Sequence, residues 1–413
     1  MLSVDEALQK VLHQVQPTNI AHMPVLDALG HSLAEEVASD VDSPPHTKAL
    51  MDGYAVIAAD VQRPGAVLTV LEEVVAGQVP QRTVAPGCAT RIMTGAPIPP
   101  GADAVVMIEE TRVIETQGQL PAQVEINSDR VRPGANLLRQ AASIACGQTV
   151  LRPGALLRPM EVGVLSEVGR TSVDVFCRPR VAVMTSGDEL VTPDRKPAAG
   201  QIRNSNNPML VALARRAGAT ALDLGVARDD AAAIQEMAES GLKHDALVLS
   251  GGVSAGVRDL VPQALAACQV AQVFHKVNLK PGKPMWFGIA ERDGRKTLVF
   301  GLPGNPVGAL VCFELFVRPA LLAMQQLAES PARTVGARLT TSFSHRGDRP
   351  TYFPAAIDAA PRGDGLPAVR PLPWQGSADL FTLAKANALI QFSAGDRDYP
   401  PEEIVPVRLL DGA

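Results

Sequence analysis

The sequence has few of the residues on which several common classes of protein depend. Aromatic residues make up only 4% of the 413 residues, which argues against surfaces that stack nucleic-acid bases. The five cysteines are scattered, odd in number and form no CxxC pair, so they indicate neither a disulfide framework nor a structural zinc site. The seven histidines show no metal-ligand spacing. With a net charge of −5, the chain is not expected to bind nucleic acid.

Signals for export or membrane insertion are also lacking. The N-terminal letters MLSVDEALQKVLHQV are typical of an amphipathic helix with charges throughout and not of a signal peptide. The longest apolar helix is predicted to follow Asn305. Because it carries Glu314 and Arg318, we interpret it as a core helix and not a membrane span. We therefore expect a cytoplasmic protein that does not enter a membrane.

The chain is too long for one hydrophobic core, so two to four domains are expected. Short β runs separated by Pro and Gly indicate all-β modules, and alternating strands and helices indicate a doubly wound parallel sheet. The N-terminal segment is predicted to form two helices, over residues 4–15 and 25–37. The predicted domains are a helical connecting domain (1–45 and 131–175), an inserted β module (46–130), an α/β domain (176–327) and a C-terminal β barrel (328–413).

The most informative stretch is residues 245–310. Buried strands are predicted over 245–250, 270–277 and 297–300, and glycine-containing loops follow the first and the third. In a parallel sheet such loops meet at the carboxyl edge of the strands. Open α/β sheets bind ligands at that edge, where helix N-termini favour anions.

A cluster of lysines lies between these loops. Lys276, Lys280 and Lys283 fall within eight residues of a chain that has only nine lysines. Asp259 stands nearby, at the end of a glycine loop. Lysines beside a carboxylate suggest an anionic ligand with a divalent metal. The alternative is a solvated basic loop beside ordinary turns.

Six motifs occur in a characteristic order between residues 51 and 307, namely MDGYAV, RIMTGAPIP, TSGDEL, LVLSGGVSAG, KPGKP and GLPGNPV. In these motifs the chain resembles the molybdopterin molybdenumtransferase family, to which the C-terminal region of gephyrin also belongs. The resemblance covers essentially the full length. It implies a molybdopterin-binding α/β domain, the four-part subunit described above and an elongated homodimer. It also implies that adenylylated molybdopterin and molybdate are converted, with Mg²⁺, into molybdenum cofactor and AMP.

The resemblance assigns roles to individual residues. Asp52, Glu189 and Asp259 are expected to be catalytic, and Asp229 and Asp259 to bind the metal. Taken singly, each carboxylate could instead be a helix N-cap. Molybdate is expected at Thr94 and Ser377. The full set of expected substrate contacts is Thr94, Ser250, Gly251, Gly252, Ser254, Lys276, Lys280, Lys283, Pro303, Asn305 and Ser377.

Two segments depart from the family pattern. The family commonly has Asp-Asn-Ser before its Met-Asp-Gly-Tyr turn, where this chain has TKAL at 47–50. Where the family commonly has Arg-Arg-Gly-Glu-Asp, this chain has LRQAAS at 138–143, and Ser143 stands where the family would place an aspartate. Two other functions therefore stay open: a molybdopterin adenylyltransferase, and a non-catalytic carrier or scaffold for the cofactor.

The resemblance also bears on partners. In a two-fold dimer the same two surfaces meet reciprocally, so we expect Asp52 to serve the α/β domain of the partner chain. A molybdopterin adenylyltransferase is a further candidate partner.

Overall fold

A computed structural model describes residues 1–118, 120–129, 131–253, 260–327, 334–361 and 365–410. The predicted site residues Ser254 and Asp259 lie outside these ranges. The chain divides into two compact units. Unit 1 comprises residues 1–34, 153–158 and 172–413, and unit 2 comprises residues 35–152 and 159–171.

Eight α-helices lie in the described residues, together with 3₁₀ turns at Ala58–Val61 and Ile108–Glu110 and a π-helical turn at Phe313–Val317. The helices are α1 (Val4–Leu12), α2 (Pro159–Glu167), α3 (Asn206–Arg216), α4 (Ala231–Gly241), α5 (Val261–Ala267), α6 (Pro306–Cys312), α7 (Arg318–Met324) and α8 (Leu380–Leu383).

The strands are short in the connecting segments and longer in three sheets. They are β1 (Ile20–Pro24), β2 (Ser32–Leu33), β3 (Val37–Ala38), β4 (Lys48–Ala49), β5 (Gly53–Val56), β6 (Ala66–Val74), β7 (Cys88–Ile92), β8 (Ala104–Met107), β9 (Thr111–Gln117), β10 (Leu120–Ile126), β11 (Leu137–Leu138), β12 (Thr149–Leu151), β13 (Ser172–Phe176), β14 (Arg180–Ser186), β15 (Leu190–Val191), β16 (Ile202–Arg203), β17 (Thr220–Ala227), β18 (Ala246–Ser250), β19 (Ala271–His275), β20 (Trp286–Arg292), β21 (Arg295–Leu302), β22 (Thr334–Leu339), β23 (Phe343–His345), β24 (Thr351–Pro361), β25 (Pro367–Pro371), β26 (Ala388–Phe392), β27 (Arg397–Tyr399) and β28 (Ile404–Leu409).

The α/β sheet of unit 1 has the strand order β17-β14-β18-β21-β20-β19. Its first four strands are parallel, and β20 and β19 are antiparallel additions at one edge. The three predicted strands are confirmed as β18, β19 and β21. Strand β20 was not predicted, although Asp293 and Gly294, both with positive φ, form the kind of two-residue turn that joins hairpin strands.

Alternate residues of β14 face two different cores, so the sheet is covered on both sides. Val181 and Val183 pack into a core shared with helices α1, α3, α6 and α7. Ala182 and Met184 pack into a second core shared with α4 and α5. This alternation confirms the predicted doubly wound architecture, in which both faces of a parallel sheet are buried.

The two other large sheets confirm the predicted all-β parts of the chain. Unit 2 contains a six-stranded sheet with the order β8-β5-β7-β6-β10-β9. In unit 1, strands β22, β25, β24, β26 and β28 close into a barrel. Closure leaves the barrel without unpaired edges.

One prediction for the N-terminal segment is wrong. Helix α1 begins after Ser3, whose side chain and that of Glu6 form a capping box. The second predicted helix, over 25–37, is absent, and turns with the short strands β2 and β3 occupy that range. Gly30 has a φ of +77°, which breaks a helical path, and Leu33 pairs with Val175 of β13. The connecting segment is therefore only partly helical, and the four-domain division stays a prediction.

The apolar helix after Asn305 is continuous through its π-helical turn. Among the described residues it is the one helix long and apolar enough to cross a membrane, over Pro306–Met324. In the folded protein, 89% of its most apolar 18-residue segment is buried. Glu314, on this helix, is fully buried and pairs with Arg216 at 2.8 Å.

Candidate active site at the carboxyl edge of the sheet

A cavity of about 310 Å³ lies at the carboxyl edge of the parallel strands. The loops after β14, β17, β18 and β21 all contribute to its wall, together with a proline of the lysine loop. The structure thereby brings together five of the predicted site residues. The lining residues are Ser186, Gly187, Glu189, Asp229, Ile234, Gly251, Gly252, Val253, Leu260, Pro284, Pro303 and Gly304.

The two glycines after β18 are required by close backbone approach. Gly251 has a φ of +100°, and a Cβ atom there would lie 2.5 Å from the Ser186 carbonyl oxygen. Gly252 has a φ of +62°, and its Cβ would lie 2.7 Å from Val261. Any side chain at either position would be strained and would push the loops apart. The pair therefore keeps the cavity wall close to bare backbone.

Ser250 and Asn206 hold the loops that form this wall. The Ser250 hydroxyl donates to the Pro303 carbonyl at 2.8 Å. The Asn206 amide donates to the Ser250 hydroxyl at 2.9 Å and to the Gly304 carbonyl at 2.7 Å. Ser250 as a substrate contact stays a prediction, since its hydroxyl already has two partners within the protein. Asn206 was missed by sequence reasoning, although the polar run RNSNN at the start of α3 was a usable signal.

Sequence reasoning also missed Ser186. Its side chain lines the cavity, and the residue is only 6% exposed. Within the part of the chain that the structure describes, its hydroxyl oxygen has no hydrogen-bond partner. Buried hydroxyls normally have a partner, so an unpaired one requires an explanation. A ligand in this cavity would supply that partner.

Two carboxylates share the cavity. The Glu189 carboxylate folds back over Gly187, where an added Cβ would lie 2.6 Å from its oxygen. The Asp229 carboxylate accepts the Asp188 N–H at 3.4 Å, and Asp188 accepts the Asp229 N–H at 3.2 Å. The N-cap of α4 is Asp230 and not Asp229, so the capping alternative does not account for Asp229.

These carboxylates fit a metal that needs few protein ligands. No group of three or more His, Cys, Asp or Glu side chains suited to a metal occurs in the described ranges. Mg²⁺ is commonly held by one or two carboxylates together with substrate phosphates and water. Glu189 and Asp229 match that requirement, and Asp259 lies outside the described residues.

The lysine loop joins β19 to β20 and is fixed by backbone contacts. The Lys276 N–H donates to the Met285 carbonyl at 2.8 Å, and the Val277 N–H donates to the Lys283 carbonyl at 3.0 Å. Lys276 has a φ of +73°, a conformation uncommon for a residue with a side chain and frequent at functional sites. Lys280 and Lys283 are exposed, and Lys276 is half-buried.

The barrel supplies a further cation beside this loop. The Lys280 N–H donates to the Pro350 carbonyl at 2.9 Å. The Arg349 guanidinium donates to the Leu279 carbonyl at 3.2 Å. Arg349 was not predicted. It is 70 positions from Leu279 in the sequence and lies near the lysine loop only because the barrel pairs with that loop.

Two predicted substrate contacts, Asn305 and Ser377, meet although they are 72 residues apart. The Asn305 amide donates to the Ser377 hydroxyl at 2.9 Å, and the Val307 N–H donates to the Ser377 carbonyl at 3.1 Å. Ser377 therefore lies beside the first turn of α6, where backbone N–H groups and the helix dipole favour an anion.

Asp52 and Thr94 meet in unit 2. The Thr94 N–H and hydroxyl both donate to the same Asp52 oxygen, each at 2.7 Å. The backbone hydrogen bond from Thr94, followed by that from its hydroxyl, lowers the pKa of Asp52. Both residues are exposed, so a charged carboxylate is available at this surface, while the N–H and the hydroxyl hydrogen of Thr94 are both directed at it.

The two segments that depart from the family pattern lie side by side in unit 2. Strand β4 pairs with β11, and the Gln140 N–H donates to the Thr47 hydroxyl at 3.2 Å. The Gly95 N–H, next to Thr94, donates to the Ala49 carbonyl at 2.9 Å. The altered positions therefore form one continuous patch that includes the Thr94 loop.

Three family models match consecutive parts of the chain. Residues 2–169 match the MoeA N-terminal region (domain I and II), residues 182–323 a probable molybdopterin binding domain, and residues 336–410 the MoeA C-terminal region (domain IV). The fold and these matches define a multidomain protein built around a domain of the molybdopterin-binding type.

Full-length relatives make the assignment specific. Proteins called molybdopterin molybdenumtransferase from Staphylococcus aureus (strain Mu50) and Staphylococcus epidermidis are each 31% identical to this chain, over 99% of it and 96% of their own length. The crystal structure of a molybdopterin biosynthesis MoeA protein from Pyrococcus horikosii superimposes with a TM-score of 0.79 at 29% identity, covering both chains completely. A second crystal structure of a molybdopterin biosynthesis MoeA protein, from Pyrococcus horikoshii OT3, superimposes with a TM-score of 0.81 at 28% identity. The match covers 99% of this chain and all of the Pyrococcus horikoshii OT3 chain. The chain belongs to the molybdopterin molybdenumtransferase family.

Proposed function

We propose that this protein is a molybdopterin molybdenumtransferase that inserts molybdate into adenylylated molybdopterin, with Mg²⁺, to give molybdenum cofactor and AMP. The observation that carries the proposal is the cavity at the carboxyl edge of the sheet. It joins two carboxylates, a wall formed by glycine backbone and a buried hydroxyl that has no partner among the described residues, at the position where α/β sheets bind ligands.

The substrate's charges suit the lysine loop, whose Pro284 belongs to the cavity wall. Adenylylated molybdopterin carries phosphates, and Lys276, Lys280 and Lys283 with Arg349 supply cations on one loop and its barrel neighbour. Charge-assisted contacts to phosphate are roughly twice as strong as neutral hydrogen bonds. Cleavage of a phosphoanhydride depends more on neutralising the leaving phosphate than on a nucleophilic side chain. The site therefore does not need a Ser or Cys nucleophile.

The carboxylates have a separate role in this proposal. Glu189 and Asp229, with Asp259 after the glycine loop, would hold Mg²⁺ against the substrate phosphates. The metal, when bound, neutralises charge on the phosphoanhydride as AMP leaves. Glu189, which lines the cavity, is also a candidate catalytic group, and Asp259 stays a predicted one.

Molybdate is an oxyanion and requires N–H and O–H donors. Ser377, beside the N-terminus of α6, is the proposed donor. Thr94, in unit 2, stays a predicted contact, since its N–H and hydroxyl both donate to Asp52. Asn305 orients the Ser377 hydroxyl by donating to it at 2.9 Å, which leaves the hydroxyl hydrogen free for a ligand oxygen. Gly251, Gly252 and Pro303 shape the wall, and Ser254 completes the list of proposed contacts.

We also propose a homodimer, on the family resemblance alone, and a cytoplasmic location, on the sequence expectation alone. Asp52 serving the α/β domain of the partner chain stays a prediction, and subunit mixing tests it. Asp52→Asn and Asp259→Asn dimers, each inactive, should regain activity when subunits exchange, because a mixed dimer has one site with neither change. With half the dimers mixed, roughly a quarter of all sites should be intact by two-fold symmetry. Verified exchange without recovery would place the complete site within one chain.

Two other functions are distinguished by what the protein consumes. A molybdopterin adenylyltransferase would use ATP and release pyrophosphate, and would not need the inserted β module or the barrel. A cofactor carrier or scaffold would bind without releasing AMP. The patch formed by 47–50 and 138–143 is the feature that favours the carrier, since its residues differ from the family pattern beside Thr94.

Equilibrium binding of adenylylated molybdopterin tests the proposed substrate site. Lys280→Gln with Lys283→Gln should raise the dissociation constant by roughly tenfold or more, since a charge-assisted contact is worth about 1.5–3 kcal/mol. The loss should be smaller for a dephosphorylated analogue. The matched control is Lys10→Gln with Lys243→Gln, which removes two exposed lysines elsewhere. Equal, small losses for both ligands would show that the loop is only solvated.

A further inference from the structure

A second cavity lies at the opposite, amino edge of the same parallel strands. Its volume is about 630 Å³, compared with about 310 Å³ at the carboxyl edge. Arg180 begins β14, Asp245 directly precedes β18 and Arg295 begins β21, so the three strand starts bring these side chains together. The rest of the wall comes from the segment after α1 and the link between β13 and β14. The volume falls in the range of small-molecule sites, about 300–1,000 Å³.

The lining of this cavity carries a surplus of positive charge. Four cations line it, against the single carboxylate of Asp245; the cations are Arg178, Arg180, Arg295 and Lys296. The side chains that line the cavity thus have a net charge of +3. This charge is opposite in sign to the net charge of the whole chain, which is −5. A smaller adjoining depression adds the carboxylates of Glu291 and Asp293. When these two carboxylates are counted, the net charge of the lining side chains is still positive, at +1.

Asp245 is already engaged and cannot neutralise all of these cations. One of its oxygens accepts the Arg180 backbone N–H at 2.7 Å, and the other accepts the Arg295 guanidinium at 3.0 Å. The Arg180 Nε lies 3.9 Å from the carboxylate, which is beyond hydrogen-bond distance. Asp245 thus ties two strand starts together. Within the described residues the Arg180 guanidinium makes no hydrogen bond, so its donors remain for another group.

Arg178 has unused donors as well. Its one hydrogen bond among the described residues is a long one, at 3.4 Å, to the Leu29 carbonyl. Lys296 donates to Gln14 at 3.2 Å, pairs with Glu291 at 3.5 Å and has a side chain that is only 17% exposed, so it is a fixed cation at the wall. A guanidinium has five N–H donors in a planar fork, which matches the oxygens of a phosphate group.

We propose that this cavity binds a small phosphorylated molecule with two or more negative charges, held by Arg178, Arg180 and Lys296. The site is separate from the one assigned above, since the two lie at opposite ends of the strands. A nucleic acid is a poor fit, because the chain is acidic overall and has few aromatic residues for stacking.

Calorimetry with inorganic pyrophosphate tests the proposal. The lysine variant Lys280→Gln/Lys283→Gln serves as the parent, so that phosphate binding at the carboxyl-edge site does not contribute. This parent should bind one pyrophosphate. Adding Arg178→Gln and Arg180→Gln should weaken that binding at least about tenfold, as expected for lost charge-assisted contacts. Both arginines are exposed, so the change should leave the fold intact, which circular dichroism can check.

The control removes the same charge elsewhere. Arg63→Gln with Arg82→Gln, two exposed arginines of unit 2, should leave the pyrophosphate affinity of the parent unchanged. The proposal is overturned if the parent binds no pyrophosphate, or if both arginine pairs weaken binding equally. The first result would leave the carboxyl-edge site intact as a proposal, because that site is assayed with adenylylated molybdopterin in the unmodified protein.

Discussion

Two serines at the carboxyl edge of the sheet should respond to alanine substitution in opposite ways. The Ser250 hydroxyl donates to Pro303 and accepts from Asn206, whereas the buried Ser186 hydroxyl has no partner among the described residues. Ser250→Ala leaves two buried polar groups unsatisfied, at about 1–3 kcal/mol each. Ser186→Ala leaves none, so it should preserve or raise the free energy of unfolding.

Substrate affinity should show the reverse order. If Ser186 donates to a phosphate or to another charged oxygen of the substrate, its loss costs about 1.5–3 kcal/mol. With a tenfold change for every ~1.4 kcal/mol, the KM for adenylylated molybdopterin should rise roughly 10- to 150-fold. Ser250→Ala should change KM less than it changes stability.

Both quantities can be measured on the same preparations. The only two tryptophans, Trp286 and Trp374, lie in unit 1 with both serines, so their fluorescence reports unfolding of that unit in urea. Steady-state AMP release gives KM. A Ser186→Ala protein with unchanged KM would refute the assignment of this hydroxyl to the substrate. A Ser250→Ala protein of normal stability would refute the account of how the loops are held.

Three further predictions concern the metal, the core and the thiols. Asp259→Asn should keep the fold and most of the substrate affinity while AMP release falls at least about a hundredfold, the scale of losing a transition-state charge contact; normal turnover would show that Asp259 is not a metal ligand. Glu314→Ala should lower the free energy of unfolding by about 3–5 kcal/mol, because it removes the buried carboxylate that pairs with Arg216 and with the Arg318 side chain, which is only 13% exposed; an unchanged urea midpoint would contradict this. Burial raises the pKa of the Cys268 thiol to about 11, so the native protein should alkylate at the exposed Cys146 and not at Cys268. Since an unfolded thiol ionises near ~8.5, the Cys268 contribution to stability is complete below that pH and is lost as pH rises toward 11, which urea titrations in this pH range can measure.

Much of the fold could be predicted because its signals are local. The alternation of strands and helices indicated the doubly wound sheet, and the glycine loops indicated the ligand edge, since only glycine tolerates the backbone approach seen at Gly251 and Gly252. The false helix over 25–37 has buried apolar residues at Val25, Ala28 and Leu33. This spacing of apolar residues is compatible with a helix or with short strands. Pairing of β2 with β13 stabilises the strand in the folded protein.

The site was harder to predict where long-range pairing creates it. Arg349 reaches the lysine loop only because the barrel pairs with Lys280. Ser186 stands out only through burial and the lack of a partner, neither of which a sequence shows. Asn305 and Ser377 were both predicted, but only from the family resemblance, and their contact could not be derived from their spacing.

Release of AMP in the presence and absence of molybdate tests the central claim most directly. Purified protein with adenylylated molybdopterin and Mg²⁺ should release AMP when molybdate is added, and molybdenum should be found on the pterin product in equal amount. The matched lysine control, Lys10→Gln/Lys243→Gln, should behave like the unmodified protein, and Lys280→Gln/Lys283→Gln should lose activity. Tight binding of the substrate without any molybdate-dependent AMP release would contradict the account and indicate a carrier.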